Sequence, residues 1–170
     1  MSKHQISKRP RYYLDSCCFI AFLANEAGRG TIIHGLLQDA DQGKIEIVTS
    51  AISLGEVLKL GTTTAAGDVV TEDIIRDLFE QPFIELVNVD RFVGEEMRNI
   101  RRIALRLAKS KFMVGDAIHL TTALLSNVTA LFTFDTGDLV VYDKQFDGMR
   151  IEVPTWTPPP TQLLLPDTSD

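Results

Sequence analysis

Apolar residues recur along the chain in two rhythms. Short runs at residues 11–14, 45–48, 83–89 and 130–134 have the length and composition of buried strands. Between them, apolar positions return every three or four residues. This spacing predicts helices over residues 16–26, 31–42, 51–60, 71–79, 91–110 and 116–125. Punctuation supports the boundaries: Gly28 and Gly30 break the first helix, Gly43 ends the second, Thr49-Ser50 reads as an N-cap, and Gly61 closes the third. Residues 62–68 read as a polar loop, and 151–153 as a short last strand. Strands alternating with helices predict an α/β domain, with a central, mainly parallel sheet covered on both faces.

Composition sets the limits of that picture. A chain of 170 residues, 45% hydrophobic and 24% charged, fits one globular domain. The basic start, residues 1–10, reads as flexible and residues 11–153 as the domain. From Pro154 onward, residues 154–170 hold five of the seven prolines. They read as an extended tail whose Trp156, Leu163, Leu164 and Leu165 are placed to lie against the domain or a partner. No apolar run reaches the roughly 18–20 residues of a membrane span, and the stretch after the basic start lacks a signal-peptide pattern. A cytoplasmic location without a membrane partner is expected.

Two cysteines occur, Cys17 and Cys18. Adjacent cysteines rarely bond to each other, so they read as small apolar side chains at a helix start. With His4, His34 and His119 as the three histidines, a structural zinc site of sulfur and nitrogen ligands is not expected, and any metal should be held by oxygen. The net charge of -6 argues against a general nucleic-acid coat protein. It leaves a nuclease open, because a carboxylate site adds negative charge that cations offset.

Four carboxylates stand in unusual surroundings. Asp15 interrupts the apolar stretch RYYLDSCCFIAFL at a strand end, Asp135 follows the run Leu131-Phe132-Thr133-Phe134, Asp116 opens a helix after Gly115, and Glu56 lies within a helix among apolar neighbours. Each has an ordinary use as well. Asp15 suits an N-cap, Asp116 a helix first turn, Asp135 and Asp138 the turn DTGD, and Glu56 an exposed helix face. Converging at the carboxyl ends of parallel strands, where open sheets gather ligands, they would repel unless cations lay between them. An all-oxygen donor set suits Mg²⁺ or Mn²⁺. In the long helix, Arg98, Arg102, Arg106 and Lys109, with Arg101 beside them, form a basic stripe opposite the apolar face. The stripe fits phosphate attraction, and equally a solvated face paired with Glu95 and Glu96.

The order of these motifs is Tyr13-Leu14-Asp15-Ser16, Thr49-Ser50 through Glu56, Gly115-Asp116-Ala117 through Ala123, and Leu131-Phe132-Thr133-Phe134-Asp135. It resembles the PIN-domain ribonucleases, most closely the VapC-type toxins of bacterial toxin–antitoxin pairs. The resemblance covers residues 11–153. It implies a PIN-like three-layer α/β/α fold, endonucleolytic hydrolysis of RNA, and a Mg²⁺ or Mn²⁺ site of Asp15, Glu56, Asp116 and Asp135. It further implies a lesser ligand role for Asp138, supporting roles for Ser16 and Thr133, an RNA substrate, a homodimer and a cognate antitoxin. A PIN fold kept as a non-catalytic RNA-binding or scaffold module is the alternative. A phosphatase of another α/β class would need a D-x-D motif after the first strand, which Asp15-Ser16-Cys17 does not provide.

Overall fold

Successive strand side chains point to opposite faces of a sheet, and here the alternation builds three layers. In the computed structural model, which describes residues 9–58, 62–63, 69–70, 72–107, 109 and 111–158, a parallel sheet is formed by β1 (Arg11–Leu14), β2 (Glu46–Ser50), β5 (Ile84–Val87), β6 (Ala130–Phe132) and β7 (Arg150–Glu152). Its strand order is β5-β2-β1-β6-β7. Leu14, Ile47 and Phe132 pack against α1 (Ser16–Leu23), α2 (Arg29–Asp41) and α4 (Glu72–Phe79). Tyr13, Val48 and Leu131 pack on the other face with residues of α5 (Arg91–Leu107) and α6 (Val114–Leu125). The two cores exclude water through residues such as Phe19, Ile33 and Ile47 on one side and Leu120, Leu131 and Tyr142 on the other. Burying each such side chain contributes about 1.5–3 kcal/mol. The expected three-layer α/β/α fold is the one observed.

Several boundaries move, each for a local reason. Thr49 and Ser50 close β2: the Thr49 hydroxyl donates to the Leu14 carbonyl at 2.7 Å and ties β2 to β1, while Ser50 Oγ accepts the N–H of Ile52, the next helix's first residue, at 3.4 Å. The helix expected to reach residue 60 is α3 (Ile52–Glu56), which ends where Val57 turns into the core at 1% exposure. Glu56 is therefore the last residue of a short helix, not an interior one. Asp116 does not open α6, which starts at Val114. It sits at the third helical position, and its Oδ2 accepts the Met113 N–H at 2.8 Å. Part of the expected loop over 62–68 pairs as a short antiparallel ribbon, β3 (Thr62–Thr63) with β4 (Val69–Val70). A 3-10 turn, Val140–Tyr142, that the hydrophobic pattern did not announce buries Leu139 and Tyr142.

Among the described residues of the segment after β7, Trp156 packs on α2. The Trp156 indole donates to Asp39 Oδ2 at 3.0 Å, and its ring fills the space over Gly35 of α2. A Cβ at that glycine would lie 2.1 Å from the ring. Leu163, Leu164 and Leu165, and most of the basic start, lie outside the described residues. Among the described residues no helix is long and apolar enough to cross a membrane.

Candidate active site

β1 and β6 are neighbours, with Leu14 opposite Phe132, so the residues that follow them emerge side by side. Asp15 is 4% exposed and caps α1: its Oδ1 accepts the Cys18 N–H at 3.2 Å and the Cys17 thiol at 2.8 Å. The Cys17 sulfur in turn accepts the Phe134 N–H at 3.1 Å and lies 3.6 Å from Thr133 Oγ1. Thr133 Oγ1 accepts the Asp135 N–H at 2.9 Å. A bonded path thus runs from Asp15 through Cys17 and Thr133 to Asp135. The expected turn at DTGD also forms, with Asp135 Oδ1 accepting the N–H groups of Gly137 at 3.1 Å and Asp138 at 2.8 Å.

Glu56 reaches the same end of the sheet from α3. Its Oε2 accepts the Ser16 hydroxyl at 2.6 Å and lies 2.7 Å from His119 Nε2. A Cβ on Gly115 would meet Oε1 at 2.6 Å, so glycine permits this carboxylate to approach α6 beside Asp116. The His119 contact, helped by Ser16, holds the Glu56 carboxyl below its ordinary value despite partial burial. Asp116 behaves oppositely. Burial pushes its carboxyl up, and the charges of Asp135 and Asp138 push the same way against the Met113 amide and His119. Two carboxylates thus differ in proton affinity because side-chain donors outweigh burial at Glu56, whereas at Asp116 burial and like-charged neighbours outweigh the single backbone donor.

The structure accordingly places Asp15, Ser16, Glu56, Asp116, Thr133, Asp135 and Asp138 around one end of the sheet. The carboxylates are linked by contacts and by mutual repulsion rather than drawn into a closed cage. Among the described residues, the one set of three His, Cys, Asp or Glu side chains whose ligand atoms lie within 4.8 Å of one another is Asp15, Cys17 and Cys18. Cys18 is core, with a thiol pushed up by burial. Cys17 is half-buried and belongs to the site as much as to the core, so two sulfurs stand nearer Asp15 than the oxygen-only expectation allowed.

On α5, Arg98, Arg102 and Arg106 are exposed, as is Lys109 beyond the helix end, whereas Arg101 is half-buried on the flank with its Nε enclosed. Four of the five cations therefore form the expected stripe.

Three participants escaped the sequence pattern. His119 lies one turn beyond Asp116 on the same helix face, and its Nδ1 meets the Tyr13 hydroxyl at 2.7 Å. The i to i+3 spacing of Asp116 and His119 was the available signal. Arg29, at the start of α2, sits with its guanidinium carbon 4.9 Å from the centre of the Phe134 ring, a cation–π contact one residue from Asp135.

The model of the PIN domain family matches residues 12–144 of this chain. No curated protein matches the sequence significantly. Similar solved structures include VapC20 of Mycobacterium tuberculosis, described as a sarcin-ricin loop cleaving toxin, with a TM-score of 0.55 at 12% identity over 73% of this chain and 89% of that one. VapBC2 from Rickettsia felis, bound to a DNA fragment from its promoter, gives 0.56 at 16% identity over 85% and 98%. FitAcB from Neisseria gonorrhoeae gives 0.54 at 17% identity over 82% and 95%. At these identities the likeness is one of fold.

Proposed function

Because this chain belongs to the PIN domain family, we propose that it is a metal-dependent endoribonuclease and the toxin of a toxin–antitoxin pair. The observation that carries this reading is the gathering of carboxylates at one end of the sheet, where Glu56 approaches Gly115 beside a half-buried Asp116 whose carboxyl is pushed up by burial and then by the charges of Asp135 and Asp138. Negative charge crowded so closely at the end of a parallel sheet favours a cation or a proton. The oxygen donors suit Mg²⁺ or Mn²⁺. Asp15, Asp116, Asp135 and Glu56 would hold the ion, with Asp138 behind them. When bound, it supplies an acidified water and neutralises charge at the phosphodiester.

The remaining groups have defined tasks in this reading. Ser16 and Thr133 orient Glu56 and the Asp135 backbone through the bonds they make in the structure. Arg29 and the α5 cations Arg98, Arg101, Arg102 and Arg106, with Lys109, attract the RNA backbone. The proposal assigns catalysis to residues 11–153 and leaves 154–170 as an appended segment, in a cytoplasmic protein that forms a homodimer and is restrained by a cognate antitoxin. That one structural neighbour is described as a sarcin-ricin loop cleaving toxin supports the choice of RNA.

The test is cleavage of a labelled total-RNA pool with Mg²⁺ or Mn²⁺ and with EDTA. Metal-dependent cleavage that falls at least about 100-fold in folded Asp15→Asn and Asp116→Asn proteins is expected, the scale lost when a catalytic metal site is disabled. RNA binding in EDTA with no cleavage in metal would instead make the protein a binding module.

A further inference from the structure

We propose that His119 is the positioning residue that fixes Glu56 in the site, and that Tyr13 fixes His119. This rests on the carboxylate site proposed above and adds to it two residues that would touch neither metal nor RNA.

Glu56 needs an external anchor. It ends a five-residue helix with no side-chain cap, and its side chain is 34% exposed. A glutamate so placed ordinarily samples several rotamers. Here one oxygen receives both Ser16 at 2.6 Å and His119 at 2.7 Å, while the other lies over Gly115. Ser16 is carried by α1 and His119 by α6, so these contacts tie α3 to both helices that border the site.

The direction of the His119 bond follows from its buried side. Tyr13 is fully buried, so its phenolic O–H must find a partner inside the fold. The Tyr13 oxygen lies 2.7 Å from His119 Nδ1; with the O–H donating to Nδ1, the ring presents a hydrogen on Nε2 to a Glu56 carboxylate that can only accept. Nε2–H then donates to Glu56. Without the Tyr13 hydroxyl the ring is free to place its hydrogen on Nδ1, and the bond to Glu56 is lost. Tyr13 lies in β1, two residues before Asp15, so the strand that leads into one carboxylate also orients the anchor of another.

The full-length protein and Mn²⁺ alone as probe suffice to test this, with affinity from calorimetry and folding from circular dichroism. His119→Leu is expected to weaken Mn²⁺ binding roughly 10–100-fold, the usual effect of removing a group that orients a metal ligand. His119→Gln is expected to stay within about threefold of wild type, since its amide restores a donor near the Nε2 position. Tyr13→Phe should fall between them. If His119→Leu binds as tightly as wild type, or if Gln and Leu lose equally, the positioning role is overturned and His119 is only core. Should His119→Leu fail to fold, Tyr13→Phe decides, with unchanged affinity overturning the relay. A wild-type protein that binds no Mn²⁺ overturns the carboxylate site itself, an outcome distinct from tight wild-type binding with unaffected variants.

Discussion

At the scale of single residues, the site depends on one close approach and one uncomfortable charge. Gly115 leaves room for Glu56, whose Oε1 would lie 2.6 Å from an added Cβ. Gly115→Ala should therefore displace a flexible carboxylate at little cost to the fold. We expect a melting temperature near that of wild type together with a loss of metal-dependent cleavage; equal activity would mean that Glu56 has no fixed place. Asp116 carries a carboxyl raised by burial and by Asp135 and Asp138, so the folded chain holds that proton more tightly than the unfolded chain. The charge therefore costs stability at neutral pH, and the cost fades as pH falls through the raised folded value toward the ordinary one. In EDTA, Asp116→Asn should melt higher than wild type at neutral pH, with the difference closing on acidification. An asparagine variant that is less stable at neutral pH would contradict this sign. Asp15, Glu56, Asp116 and Asp135 were visible in the sequence because each interrupts apolar surroundings. His119 was not, because the hydroxyl that orients it is 106 residues away.

At the scale of elements, helix and strand periods were legible wherever one face packs on the sheet, and boundaries failed where a tertiary partner decides. Thr49 reads as a cap until Leu14 is seen to accept its hydroxyl. Cys17 reads as core until Asp15 and Phe134 are seen on either side of its sulfur. The last described segment is a case where the sequence left two options, domain or partner, and α2 takes Trp156. Because this is the single tryptophan of the chain, its fluorescence reports the contact. Gly35→Ala would place a methyl 2.1 Å from the ring and should shift emission to the red, as should Asp39→Ala more weakly through loss of the indole hydrogen bond. Emission unchanged in Gly35→Ala would mean the ring does not rest there.

At the scale of the whole molecule, a net charge of -6 coexists with a cationic stripe on α5. RNA affinity should accordingly depend on where cations stand rather than on their sum. Replacing Arg98, Arg102 and Arg106 together by Gln should reduce the slope of log affinity against log salt by about 0.7 per removed cation, if all three contact a single strand. An unchanged slope, measured by filter binding without metal, would move the RNA path elsewhere, for instance toward Arg29. β1 stands at the centre, between β2 and β6.

That central position has a consequence for synthesis. Tyr12 pairs with Ala130 across most of the chain, and domains emerging from the ribosome acquire such distant contacts last. Asp15 and Glu56 are made long before Asp116 and Asp135 exist. A nascent or prematurely terminated polypeptide therefore carries Asp15 and Glu56 with β1 able to pair with β2 alone, so the centre proposed above would be assembled only after nearly the whole domain has left the exit tunnel.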